Sequence, residues 1–331
     1  MKGHKDEEAN APLLETQPTP AQNDAKESLW NRYVWRNGFF LVSLSAFTFS
    51  SQLVFLKKVE DKLPEMEILW ARGVFVCLTI LLAKAIFKSN VSPLGKRENM
   101  SLLAMQGLFG VVQLVAGWGS IMYVPIAECL AIIFSNSIIT ASLAAILGLD
   151  KWSRITPVAV VLSVVGVLLV TRPSAIFSKY ALVWDSDRIL GLSLAAGSTI
   201  CFSGIYLISR KLNNREGGVT QLFWQALVLT IVSPISLAMG VPSKPVFRFT
   251  FHELAFLLIV VLLGALAWFL LYRSVQLTSA TVGSVMGSTQ LMWSFLFDML
   301  FFGQSFSVFS VAGSLCVVGA AAVIALTVIR K

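Results

Sequence analysis

Apolar residues in this chain come in long blocks separated by short polar breaks. Ten blocks run over 37–57, 66–87, 100–122, 126–148, 155–171, 189–210, 219–239, 253–274, 280–302 and 308–329. A helix that crosses a bilayer needs about 20 mostly apolar residues, and each block is near that length. Pro64, Pro93, Pro125, Pro157, Pro173, Pro242 and Pro245 fall at or near block ends, where helices start or stop. The pattern predicts an all-α polytopic membrane protein of ten transmembrane helices, with mostly short connections and no separate soluble domain.

Part of the pattern occurs twice. The first copy reads Tyr123-Val-Pro-Ile-Ala127-Glu128, an apolar run through Ser135, a polar break at Asp150-Lys-Trp-Ser153, then Val164-Val165-Gly166. The second reads Gln276-Leu-Thr-Ser-Ala280-Thr281, an apolar run through Ser288, a break at Gly303-Gln-Ser-Phe-Ser307, then Val317-Val318-Gly319. Ala127 and Ala280, Ser135 and Ser288, and Gly166 and Gly319 share one offset of 153 positions (280 − 127). Two similar membrane-embedded halves around a central site are a common transporter plan. Each half holds five spans, an odd number, so the second must enter the membrane upside down. The expected architecture is a 5+5 inverted repeat, with halves at 37–172 and 189–329.

Composition changes the picture by naming the solvent. The chain is 56% hydrophobic and 13% charged, with mean hydropathy +0.75. A soluble domain carries about 25% charged residues, so most of this surface must face lipid. The pI near 9.4 does not point to nucleic acid, because the cations sit in short runs between apolar blocks instead of forming one basic face. Residues 1–36 are polar and Pro-containing and lack a signal peptide's apolar region, so they read as a disordered cytosolic tail. Pro12-Leu13-Leu14 near Glu7 and Glu8 is similar to an acidic dileucine sorting signal, with altered spacing.

Lys and Arg set the orientation. With the N-terminus inside, 15 cations fall on the inner side, among them Lys84, Lys88, Lys96, Arg97, Arg210 and Arg273. Eight fall outside: Lys57, Lys58, Lys62, Arg172, Lys179, Arg188, Lys244 and Arg248. Both termini are expected in the cytosol.

Ionisable groups inside a bilayer are costly, about 2.5–3.5 kcal/mol each at a helix centre, and tend to be functional. Three stand out: Arg72 in the second block, Glu128 opening the fourth and Asp298 near the end of the ninth. Arg72 fits a substrate anion or a gating ion pair with Glu128 or Asp298. An equally simple reading is a structural pair that fixes helix packing. Uncharged polar residues near mid-span form a second set: Gln52, Gln113, Asn136, Tyr206, Gln225, Tyr272 and Gln290, with Ser51, Ser135, Ser203 and Thr289 beside them. Such groups either meet substrate or make interhelical hydrogen bonds of about 0.6 kcal/mol each. Trp118, Trp224, Trp268 and Trp293 can stack on a ring-bearing substrate or pack against neighbours. Gly166 and Gly319 are expected to let helices approach closely.

The order and spacing of several short motifs resemble the drug/metabolite transporter superfamily with EamA-type repeats. Within it the chain is most similar to the G-type branch of the solute carrier 35 proteins. The residues are Glu67-Ile-Leu-Trp-Ala-Arg72-Gly-Val-Phe75, Gly107-Leu-Phe-Gly110, Ile126-Ala-Glu128, Ile133-Phe-Ser-Asn-Ser137 and Gly166-Val-Leu-Leu-Val-Thr-Arg172-Pro173. Two departures stand beside them. Leu149-Asp150 and Gly303-Gln304 replace the family's Gly-Glu-like turns, and Glu128 stands where the G-type branch often has Asp. The resemblance implies spans five and ten as scaffold or homodimer surface.

No catalytic motif, cofactor site or metal site is visible. Cys77, Cys129, Cys201 and Cys316 all lie in apolar blocks, His4 and His252 lie outside them, and there is no Gly-Lys-Ser/Thr phosphate loop. The expected function is secondary transport of a small polar or organic-anion metabolite by alternating access. Two other readings stay open: a nucleotide-sugar or nucleotide exchanger of an internal membrane, and a non-transporting membrane regulator. The topology has a direct check. The sequons Asn90-Val-Ser92 and Asn99-Met-Ser101 fall in an inner loop, so endoglycosidase treatment should leave the protein's gel mobility unchanged. A mobility shift traced to either asparagine would reverse the orientation.

Overall fold

The computed structural model describes residues 37–56, 64–87, 92–150, 155–172, 176, 185–213, 215–238, 250–303 and 308–329. The N-terminal tail with its Leu13-Leu14 pair, the sequon at Asn90 and the breaks at 151–154 and 304–307 lie outside the described residues. From Asn37 onward the chain forms one compact unit. Its helices are α1 (Gly38–Leu56), α2 (Glu65–Phe87), α3 (Met100–Ile121), α4 (Ile126–Phe134), α5 (Asn136–Ile146) and α6 (Thr156–Thr171) in the first half. The second half holds α7 (Ser186–Lys211), α8 (Gly218–Ala238), α9 (Phe251–Leu277), α10 (Ala280–Gly287), α11 (Thr289–Phe302) and α12 (Val308–Ile329).

Local chemistry sets several helix starts. Asp185 accepts a hydrogen bond from Arg188 N at the start of α7, Thr250 and Glu253 form a reciprocal capping box on α9, and Ser279 accepts from Val282 N on α10. Each satisfies an amide that a helix end leaves unpaired. Pro234 sits inside α8, not at a block end, where it removes one ladder donor.

The fourth and ninth blocks depart from the expectation of continuous spans. Each is two helices that meet at a serine, α4 and α5 at Ser135 and α10 and α11 at Ser288. The two breaks are built alike. Ser135 N donates to Ile132 O and Ile138 N to Ser135 O, while Ser288 N donates to Val285 O and Leu291 N to Ser288 O. Both ladders tighten to a bond three residues back for one turn, a form often found at functional hinges. Among the described residues eight helical stretches are long and apolar enough to cross a bilayer, α4–α5 counting as one, while α6 is a shorter apolar helix.

The packing follows the sequence repeat. α1 packs along α9 as α7 packs along α3, α1 meets α11 as α7 meets α5, and α2–α8 and α6–α12 are mutual pairs. Exchanging each helix with its repeat partner leaves this set unchanged. The distribution of polarity is that of a membrane protein. Gln106, Gln221, Gln225, Asn136, Ser163 and Ser203 are buried, while Leu82, Ile86, Ile146 and Leu315 are exposed. Inside, Gln106 Nε2 and Ser209 Oγ both donate to Gln221 Oε1 at 2.8 Å, joining α3, α7 and α8.

One tie joins the loops. Glu216 accepts from Lys96 N (2.8 Å) and Asn99 Nδ2 (2.7 Å), and its carbonyl accepts from Gln276 Nε2 (2.6 Å). Gly95 turns beside it with φ +72°, and a Cβ there would lie 2.7 Å from Glu216 Oε2. Asn99 is thus a buried hydrogen-bond donor.

The tightest backbone approach is between α6 and α12. A Cβ on Gly313 would sit 2.7 Å from Gly166 O, and one on Gly166 would sit 2.8 Å from Gly313 O. Gly166 behaves as expected, but its partner is Gly313. Gly319 meets only the tip of Leu162, at 3.4 Å. Gly313→Ala should therefore cost the about 1–3 kcal/mol of stability typical of overpacking, seen as a lower thermal midpoint in detergent, while Gly319→Ala stays near wild type. Equal effects of the two changes would contradict this contact.

Candidate functional site

Arg72 lies on α2 and is only 7% exposed. It borders a cavity between α2, α8 and α9 whose lining includes Gln225, Leu222, Ala226, Trp268 and Ala265. The cavity encloses about 10 Å³, room for about one water and far below the about 300 Å³ at which ordinary ligand pockets begin. Trp268 and Tyr272 lie one turn apart on α9 with ring centroids 5.6 Å apart. Phe49, Phe202 and Tyr206 extend this cluster toward α1 and α7. Tyr272 is close enough to Arg72 to interact with it electrostatically.

Four donors here are buried with no hydrogen-bond acceptor: Arg72 Nη2, Gln225 Nε2, Trp268 Nε1 and Tyr272 Oη. An unpaired buried polar group costs about 1–3 kcal/mol, and more when charged. Such groups are met by water or by a ligand, so the cluster marks a polar site within the helix interior.

Glycines seat the polar side chains around this region. A Cβ on Gly110 would lie 2.8 Å from Gln225 Nε2, one on Gly264 2.7 Å from Gln52 Nε2, and one on Gly287 2.7 Å from Tyr206 Oη. Each missing side chain lets an amide or phenol rest against a neighbouring backbone.

The remaining expected residues are distributed elsewhere. Gln113 has a buried, unpaired Oε1 and accepts at its carbonyl from Ser198 Oγ (2.8 Å). Asn136 and Gln290 lie just past the two breaks. Ser203 Oγ lies within hydrogen-bond reach of Asn136 O (3.3 Å), and Ser50 Oγ donates to Gln290 O (2.8 Å). Ser50 and Ser203 are themselves 153 positions apart, so the hydroxyls that support the two breaks are related by the repeat. Asp298 is half-buried on α11 and is not part of the Arg72 cavity lining. Of the four tryptophans, Trp268 lines the cavity and Trp293 packs on Phe47 and Phe297. Trp224 Nε1 donates to Leu94 O, and Trp118 packs among apolar side chains.

The ion pair anticipated between Arg72 and Glu128 or Asp298 does not form. Glu128, 2% exposed, is held by Arg188 Nη2 at 2.6 Å, because α7 and not α2 runs beside α4. A second pair joins Asp150 to Arg210 at 3.5 Å. Glu128 lies in the first turn of α4 and Asp150 just past α5, while Arg188 and Arg210 lie in the first and last turns of α7, each pair 22 positions apart (150 − 128 and 210 − 188). The two stretches therefore run parallel and are pinned at both ends. Asp150 Oδ2 also accepts from Thr281 N and Thr281 Oγ1, both at 2.9 Å, which anchors the start of α10. Arg188, Asp150 and Arg210 all fall near block ends, so spacing alone assigned them to connections.

The described residues form an all-helical, multi-pass membrane fold, with a polar interior and an apolar surface. The chain belongs to the EamA-like transporter family, whose pattern matches residues 36–172 and again 189–326. It is 26% identical over 287 residues to solute carrier family 35 member G1 of Homo sapiens, covering 85% of this chain and 76% of that protein. It is 24% identical over 283 residues to the pseudopaline exporter CntI of Pseudomonas aeruginosa, covering 86% and 94%. A solved crystal structure superposes with TM-score 0.71 over 88% of this chain and 99% of the other, at 15% identity, a likeness of fold. The resemblance to the G-type solute carrier 35 proteins is borne out.

Breaking the Glu128–Arg188 pair on one side leaves a buried charge. Glu128→Leu should cost about 3–5 kcal/mol of stability, and the double variant Glu128→Leu/Arg188→Met should recover most of it. Unfolding midpoints in detergent measure both. A double variant no more stable than the single one would show that the pair is not the tie.

Proposed function

We propose that this chain is a secondary transporter that moves a small polar or organic-anion metabolite by alternating access. Its two halves form a 5+5 inverted repeat of ten spans, with α4–α5 and α10–α11 as broken fourth and ninth spans. One departure from the repeat symmetry carries this reading. α5 packs against α10, whereas the repeat-related pair α4 and α11 is not packed in the same way. Phe134 and Leu291, at the broken ends of α4 and α11, meet around Val167. The seam where α5 meets α10 is closed by Asp150, Arg210 and Thr281.

An inverted repeat in which one seam is closed and its counterpart parted is how a transporter exposes a site to one side at a time. With both termini in the cytosol, the closed seam faces inward and this is the outward-open form. Exchange of the two arrangements, pivoting at Ser135 and Ser288, would carry the site to the other face. The nucleotide-sugar alternative has thinner support, because Arg72 is the one cation among the residues named for the cavity. The convergence of Arg72, Gln225 and Tyr272 on one region also weighs against a non-transporting regulator.

The test combines uptake with a trap. In a background lacking the native cysteines, Asp150→Cys/Thr281→Cys in proteoliposomes should lose metabolite uptake on oxidation and regain it on reduction. Unchanged uptake by the cross-linked protein would rule out movement across this seam. Failure of the reduced, folded protein to move any of a broad metabolite panel would rule out transport.

A further inference from the structure

We propose that the cavity between α2, α8 and α9 binds a small organic monoanion, whose single carboxylate is held by Arg72, Gln225, Trp268 and Tyr272. The assignment rests on the transport reading above and names its substrate class.

The polar atoms decide the sign of the ligand. Arg72 Nη2, Gln225 Nε2, Trp268 Nε1 and Tyr272 Oη are four unpaired donors, and three of these side chains line one cavity with Tyr272 a turn from Trp268. Amide, indole and guanidinium nitrogens cannot accept a hydrogen bond, so their common partner must bring acceptors. A guanidinium presents two parallel donors that match the two oxygens of a carboxylate.

The rest of the wall limits what else the ligand carries. Val76, Leu222, Leu229 and Ala265 are apolar and would leave sugar hydroxyls buried without partners. With one cation at the site, a second negative charge would go unneutralised, and an organic cation would be repelled. The room enclosed at this site is about 10 Å³, about enough for one water, so a carboxylate with a short carbon body enters only when α2, α8 and α9 part, as the transport reading requires.

The experiment measures binding apart from transport. Full-length protein in nanodiscs is titrated with butyrate, succinate, inorganic phosphate, glucose and tetraethylammonium, with calorimetry and thermal unfolding as readouts. Butyrate is expected to bind saturably and raise the unfolding midpoint, with the other four at least tenfold weaker. Trp268→Phe keeps a ring of similar shape and removes one donor, so it should loosen butyrate about tenfold or more while the protein still folds. Arg72→Gln should abolish binding, and Arg72→Lys should retain part of it through charge without the fork. Preferential binding of phosphate, glucose or tetraethylammonium would overturn the assignment, as would unchanged butyrate affinity in folded Arg72→Gln and Trp268→Phe. Butyrate binding with these variant effects in a protein that moves nothing would keep the site and overturn transport. Uptake insensitive to Arg72 would do the reverse.

Discussion

A bilayer offers backbone amides and carbonyls no partner, so a helix that breaks at mid-depth must find replacements inside the protein. The rest of this structure is organised around two such breaks, at Ser135 and Ser288. Each keeps its amides by bonding three residues back, and each receives a hydroxyl from a neighbouring helix, Ser203 toward Asn136 O and Ser50 to Gln290 O. Those hydroxyls reach because α7 lies against α5 and α1 against α11. The breaks, their supporting serines and the helices that carry them form one repeated unit, present twice and shared between the halves.

The frame is symmetric, but its chemistry is divided. Carboxylates come from the first half, at Glu128 and Asp150, and the arginines that meet them come from the second, at Arg188 and Arg210. This pairing locks α4–α5 to α7 along their length. The donor cluster is divided the other way, with Arg72 from the first half facing Gln225, Trp268 and Tyr272 from the second. Charges that meet a partner within the protein serve packing, and charges left without one are available to a ligand. Burial alone does not separate the two cases, since Glu128 and Arg72 are both nearly inaccessible.

Much of the fold was legible because the bilayer imposes a crude and strict rule. Block length marked the helices, and the 153-residue offset marked the repeat. The breaks were not legible, because the polar triplets Ser135-Asn136-Ser137 and Ser288-Thr289-Gln290 have no proline beside them and read equally well as buried polar groups on a continuous helix. Arg72 was readable as a functional candidate because a charge seven residues into an apolar block has to be explained. Its separation from Glu128 was not readable, since block order does not say which blocks are neighbours. Asp150, Arg188 and Arg210 were missed for a related reason: position near a block end reports approximate depth, not what lies alongside. A weak signal was present, since both pairs are spaced by 22 positions, but it gains meaning only once α4–α5 and α7 are known to run parallel.

The sequence by itself determined that this chain lives in lipid, that it is built from helices in two related halves, and that a few polar groups had to be buried among them. These follow from local transfer energies, which depend on each residue and its near neighbours in the chain. Only the tertiary structure decided which charges pair, which donors are left over and which helices lie side by side. Those outcomes depend on distances of a few ångströms between residues 60 or more positions apart, as with Glu128 and Arg188, and hydrophobic pattern carries no record of such distances.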